Sequence, residues 1–157
     1  MKTLLVSLAA AVIVPAAAAS EISITYSAEF QEKLESDYGA KEGDRLSKEI
    51  RSDLERELRK ANVDPARISV IIVDAKPNRP TMQQMSDEPG LDMLRSKSIG
   101  GMDLEGTAYN ASGEAVAELQ YDWYETNIQM VGATGVWGDA KRASSRFAKK
   151  FAEKLSE

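Results

Sequence analysis

The sequence contains no histidine and no cysteine among its 157 residues. Without histidine there is no imidazole base that titrates near neutral pH, no Ser/His triad and none of the commonest transition-metal ligand. Without cysteine there is no thiolate nucleophile, no thiolate zinc site and no disulfide framework. Any catalysis would therefore use carboxylates, lysine, tyrosine or hydroxyl groups, and we predict neither a cofactor nor a bound metal.

Basic residues are also fewer than acidic ones. The 20 Lys and Arg residues stand against 25 Asp and Glu residues, which gives a formal net charge of −5. Phosphate backbones are bound by clustered Lys and Arg side chains, so an acidic chain is poorly suited to them. The composition therefore predicts no nucleic-acid partner.

Residues 1–19 have the three-part composition of a secretory signal peptide. Lys2 gives a positive start, an apolar run follows from Leu4 to Val14, and alanines from Ala16 to Ala19 supply the small side chains of a cleavage site. The apolar run is too short to span a bilayer core of roughly 30 Å. We expect a periplasmic or secreted product that begins at Ser20, with neither a transmembrane nor a lipid anchor.

Residues 20–157 have the periodicities of one α+β domain. Period-two alternation predicts a strand from Ile22 to Tyr26 and a hairpin from Met102 to Trp123, whose turn contains Gly113. The β-branched run from Ile68 to Val73 predicts an interior strand that is buried on both faces.

Two apolar stripes predict long helices. One runs from Leu46 to Ala61, after a break at Gly39 and Gly43, and the other runs from Val136 to Leu155 with Trp137 in the core. The element order is then β-α-β-β-β-α. This order predicts a two-layer sandwich, with a four-stranded, mostly antiparallel sheet that carries both helices on one face and meets water on the other.

A long connection from Asp74 to Gly101 separates the interior strand from the hairpin. It holds three prolines, and Thr81 predicts the cap of one helical turn within it. Connections of this length are uncommon in compact domains and are usually functional or disordered. We predict a contact surface on this connection, because its methionine side chains can repack against varied partners. The polar sheet face around Tyr124 is the second predicted contact surface. The candidate interaction residues are Asp74, Arg79, Met82, Met85 and Tyr124.

Three functions remain open from these patterns. The favoured hypothesis is a non-enzymatic exported protein that binds a protein or a small ligand of the cell envelope through the 74–101 connection. The second is a carboxylate-dependent hydrolase, for which acidic pairs across the hairpin are required; the candidates are Asp103, Glu105, Glu118 and Asp122. The third is a structural envelope protein whose connection fills its own core.

Three segments resemble a group of small exported proteobacterial proteins to which no activity is assigned. The segments are DAKPNRPTMQQM at 74–85, PGLDMLRSKSIGG at 89–101 and the hairpin end YDWYE at 121–125. The resemblance covers most of residues 20–157. It implies a Gram-negative periplasmic setting and assigns no functional residue.

Overall fold

The computed structural model describes residues 20–131 and 135–157, so the predicted signal peptide lies outside the described residues. Four strands form one sheet in the order β1-β2-β3-β4, with β1 parallel to β2 and the other neighbours antiparallel. The strands are β1 (Glu21–Tyr26), β2 (Arg67–Lys76), β3 (Gly101–Tyr109) and β4 (Ala115–Tyr124).

Two long helices cover one face of this sheet. The longer helix packs on its partner and on β1, and the partner packs on β3 and β4. In chain order the helical elements are α1 (Ala28–Lys33), a π-helical turn (Leu34–Tyr38), α2 (Ala40–Ala61), α3 (Met82–Asp87), a 3-10 turn (Ile128–Met130) and α4 (Gly138–Ser156). The predicted α+β architecture, with its four-stranded sheet and two long helices, is confirmed.

The core lies between the sheet and the two long helices. The predicted stripes of both helices are buried in it, and Trp137 lies there as expected. Helix α4 approaches the sheet closely at Gly106. A side chain at this position would place its Cβ 2.6 Å from the Phe147 ring. The core therefore depends on the absence of a side chain at this strand position.

The break before α2 occurs at Gly39. Ser27 caps α1 by accepting a 3.0 Å hydrogen bond from the Phe30 amide, and the π-helical turn then carries the chain to Gly39, whose φ is +98°. Gly43, by contrast, continues the helix and faces the Leu34 and Tyr26 side chains. The break that the sequence predicts around Gly39 and Gly43 therefore lies at Gly39.

Strand β2 is longer than predicted and less deeply buried on one side. Ile68 and Ile72 are buried on the helix side, whereas Ile71 and Val73 are half-buried on the opposite side of the sheet, which we call the open face. The prediction that placed Asp74 in the connection is wrong. The strand passes through a bulge next to Asp74, which pairs with Asp103 before the strand ends.

Strand β4 forms one edge of the sheet, and α4 supplies side chains along it. Lys154 donates a 2.7 Å hydrogen bond from Nζ to the carbonyl oxygen of Glu118. The guanidinium of Arg146 lies 4.3 Å from the centre of the Trp123 ring. None of the helices in residues 20–131 and 135–157 is both long and apolar enough to cross a membrane.

Candidate functional site

The candidate site is the end of the molecule where β2 and β4 end and β3 begins, which we call the loop end. It is formed by the connection 77–100 and by the described residues of the connection from β4 to α4. The Asn78 amide donates to the Val136 carbonyl at 2.7 Å, and the Glu125 amide donates to the Gly100 carbonyl at 2.9 Å. These bonds join the two connections into one surface.

A buried polar cluster closes the base of the connection 77–100. Both Asn78 and Asp139 are fully buried. The Asn78 carboxamide donates to an Asp139 carboxylate oxygen and to the Ser98 carbonyl, and accepts a 2.7 Å bond from the Asp139 amide. The Gly100 amide donates to the same Asp139 oxygen at 3.3 Å. The cluster thus fastens both ends of the connection to the first turn of α4.

Arg79 holds the far half of the connection against its base. Its guanidinium donates to the Leu94 carbonyl at 2.7 Å and to the Met93 carbonyl at 3.4 Å. Arg79 is only 9% exposed, so little of this predicted interaction residue reaches the surface. Its observed role is to give the connection a defined shape.

Helix α3 is fixed to the π-helical turn. Thr81 and Gln84 exchange the two hydrogen bonds of a capping box, as the sequence predicts for Thr81. The Gln84 amide group also donates to Asp37 at 3.0 Å. Met82 projects into solvent and is 68% exposed, whereas Met85 is half-buried.

Exposed apolar side chains concentrate at the loop end. Of six large hydrophobic residues that are exposed in the described part of the chain, five belong to the two connections; these are Met82, Met93, Leu94, Ile128 and Met130. Leu94 is 80% exposed. The sixth, Val116, lies near the hairpin turn at the opposite end of β4. Five exposed apolar side chains at one end of the molecule make this end a candidate interaction surface.

Three aspartates form a row across the open face. Asp74 pairs with Asp103 across β2 and β3, and Asp103 pairs with Asp122 across β3 and β4. Lys33 neutralises one end of the row through a 2.9 Å ion pair with Asp74. Partial burial, and then the charges of Asp122, Glu105 and Asp74, raise the pKa of Asp103 above its usual value.

The other acidic candidates on the hairpin do not face one another. Glu105 lies opposite Gln120, which donates to it at 3.3 Å, and Glu118 lies opposite Thr107. Tyr124 lies beside the aspartate row, with its ring over Gly101. Burial, and then the nearby aspartates, raise the pKa of the Tyr124 phenol, so this side chain stays neutral at physiological pH.

A cavity of about 300 Å³ lies between the connection 77–100 and the π-helical turn. Its apolar lining includes Tyr38, Pro77, Pro80 and Leu91. Burial, and then the charges of Asp74 and Asp37, raise the pKa of Tyr38 to about 12. The phenol of this lining residue is therefore neutral at physiological pH.

Three buried carboxylates were not found by the sequence analysis. Each belongs to a long helix, is paired with the arginine three residues later and accepts from a donor in another element. The pairs of carboxylate and donor are Glu42 with the Trp137 indole, Asp53 with the Ser144 hydroxyl, and Asp139 with the Asn78 carboxamide. In the sequence, these buried carboxylates could have been recognised as acidic residues at positions that belong to the apolar stripe of a helix.

The described residues contain no group of three or more acidic side chains placed to hold a metal ion. Comparisons with protein-family models, with curated proteins and with solved structures found no match. The chemistry of the loop end is therefore the basis for a functional proposal.

Proposed function

We propose that this chain is an exported, non-enzymatic protein that acts by binding a protein partner through the loop end. The observation that carries the proposal is the concentration of exposed apolar residues on two connections that hydrogen bonds join into one surface. Methionine and leucine side chains adapt to a partner surface and bury apolar area on contact. The composition of residues 1–19 supports an exported setting.

The anchoring of the connection 77–100 by hydrogen bonds supports the same proposal. Its base is buried from Pro77 to Thr81, and Arg79 ties the segment around Leu94 to that base. Ordering a mobile loop on binding costs free energy, so a loop that already has its shape loses less on association. Replacing the whole connection by a linker would remove Asn78 and with it the buried contact to Asp139 of α4. Point substitutions at the exposed tip are therefore the sharper test.

The test compares three forms of the protein as bait in an extract of the host's periplasm. The wild type and Val116→Ser, a control with a 52% exposed residue at the opposite end, should capture the same partner. The double variant Met82→Ser/Leu94→Ser should lose it while keeping the circular dichroism of the wild type. Capture by the double variant at the wild-type level would place the contact surface elsewhere.

A carboxylate-dependent hydrolase is the second candidate, favoured by the direct pairing of Asp103 with Asp122. Glycoside hydrolysis uses two carboxyl groups, one of them as a general acid, and a raised pKa such as that of Asp103 is the direction that this acid requires. Activity on chromogenic glycosides that disappears in both Asp103→Asn and Asp122→Asn would support this candidate. An inactive wild type on such substrates would count against it.

A further inference from the structure

We propose that the cavity beneath the connection 77–100 binds a small organic anion with an apolar body, such as an aryl carboxylate. This site is separate from the exposed apolar surface of the loop end. The proposal does not depend on the protein-binding function.

Hydrogen bonds within the protein hold the cavity walls in place, so the site is preformed. Ser98 donates from its hydroxyl group to the Pro77 carbonyl, and its amide donates to the Asn78 carbonyl at 3.0 Å. On the opposite wall, Gln84 bonds to Asp37 of the π-helical turn. Preformed walls are typical of small-molecule sites, and about 300 Å³ is at the lower end of their size range.

The lining combines an apolar interior with a cationic rim. Pro77, Pro80 and Leu91 supply apolar surface. Lys76 and Lys97 are both exposed, and within residues 20–131 and 135–157 neither side chain holds an ion pair or a hydrogen bond. Both ammonium groups are therefore available to an anion at the rim of this cavity.

The charges around the cavity favour an anion over a cation. Of the charged residues that line it, Lys76, Arg79 and Lys97 are positive and Glu88 is negative. Two acids lie behind the wall, and each already has a polar partner. Asp74 is paired with Lys33, and Asp37 accepts from Gln84.

Tyr38 belongs to the lining of the cavity and is a neutral side chain. With a pKa raised to about 12, the phenol retains its proton and does not repel an anion. Its ring packs edge-on against Trp137 at a centroid distance of 5.5 Å, which fixes the position of this wall. A carboxylate at the lysine rim with an aromatic or aliphatic body against the prolines would satisfy both parts of the lining.

The test uses three probes of the same shape that differ in charge: 3-phenylpropionate, 3-phenylpropylamine and 3-phenylpropanol. Each is titrated into ¹⁵N-labelled protein while amide chemical shifts are followed by NMR. Phenylpropionate should shift the amides around residues 76–98 in a saturable manner, with an affinity at least tenfold above those of the amine and the alcohol. Equal affinity for the alcohol, or preference for the amine, would overturn the proposal.

Two double variants test which lysine side chains bind the carboxylate of the probe. Lys76→Gln/Lys97→Gln should weaken phenylpropionate binding by about tenfold or more, whereas Lys48→Gln/Lys141→Gln, at a different cavity between α2 and α4, should leave it unchanged. Unaltered binding by the first variant would refute the site. Met82→Ser/Leu94→Ser should bind phenylpropionate like the wild type, which separates this result from the protein-binding test.

Discussion

The buried carboxylates show how single residues set the packing of the two long helices. Glu42 and Asp53 of α2 accept from Trp137 and Ser144 at the start and in the middle of α4, at 2.7 Å in both cases. A buried acid without its donors would be strongly destabilising, so each contact favours one alignment of the helices over neighbouring ones. The nearby arginines reach solvent and neutralise the charge.

Asn78 and Asp139 should behave as one unit in unfolding experiments. Replacing Asn78 by Ala leaves a buried carboxylate short of a donor, which costs about 1–3 kcal/mol for a buried hydrogen-bonding group. We expect Asp139→Ala to cost a similar amount. Because both changes break the same contacts, the loss in the double variant should be well below the sum in urea unfolding. Additive losses would show that the two side chains act independently.

The pKa of Asp103 predicts a stability change with pH. Its pKa is raised from 3.8 in the folded state, so the folded protein binds this proton more tightly than the unfolded chain does. Stability therefore falls as the pH rises from about 3.8 through the raised pKa. Asp103→Asn should raise the free energy of unfolding at pH 7 by about 0.2–1 kcal/mol, the range for like charges directly across strands.

Thermal unfolding between pH 3 and pH 7 checks this prediction. The gain from Asp103→Asn should shrink towards acidic pH, where the wild-type carboxyl group also becomes neutral. Glu118→Gln is the matched control, because Glu118 is on the same face but lies opposite Thr107. An equal gain from the control would indicate a general effect of net charge.

At the scale of elements, the turn from α1 into α2 positions the wall of the cavity. Phe30 of α1 and the Leu34 and Tyr38 side chains of the π-helical turn lie on the buried side, and Gly39 then redirects the chain into α2. The ring of Phe30 lies 6.4 Å from that of Tyr38, so the turn and the core share an aromatic contact.

Gly43 should be intolerant of a substitution that helix propensity favours. Gly to Ala in a helix interior ordinarily stabilises by about 1 kcal/mol. Here the new Cβ would lie 2.8 Å from a Leu34 methyl group and 3.0 Å from the Tyr26 hydroxyl. We expect Gly43→Ala to destabilise the protein by about 1–3 kcal/mol, as overpacking does.

Urea unfolding of Gly43→Ala measures this loss. Ser52→Ala, at an exposed position of the same helix, should be neutral or slightly stabilising. A stabilised Gly43→Ala would mean that the Leu34 and Tyr26 side chains can move away from α2 without loss.

The helices and strands could be predicted from the sequence because apolar periodicity is a local pattern. The candidate site could not, because it depends on contacts between distant segments. Alternation located β1 and the hairpin, and the methionine at position 82 is exposed as a contact residue must be. The contact of Asn78 with Asp139 joins residues 61 positions apart, and no pattern within either segment reports it. The row through Asp74 was missed because the bulge that extends β2 depends on pairing with β3.

At the scale of the whole molecule, the open face and α4 carry clusters of opposite charge. The open face carries the aspartate row, whereas the exposed side of α4 carries cations; these are Lys141, Arg142, Arg146, Lys149, Lys150 and Lys154. Two of them, Arg146 and Lys150, lie over aromatic rings of β4. The helix thus covers the edge of the sheet with positive charge.

The bond from Lys154 to Glu118 bears on how the protein behaves at high concentration. An edge strand of ten residues offers main-chain groups to any other extended chain, and lysine beside such an edge opposes that pairing. Lys154→Ala should therefore increase aggregation in light scattering with little change in the melting temperature. Lys149→Ala removes the same charge five residues earlier on α4 and should aggregate no faster than the wild type. Equal scattering from the two variants would assign the effect to net charge, whereas a difference would make one lysine a determinant of solubility.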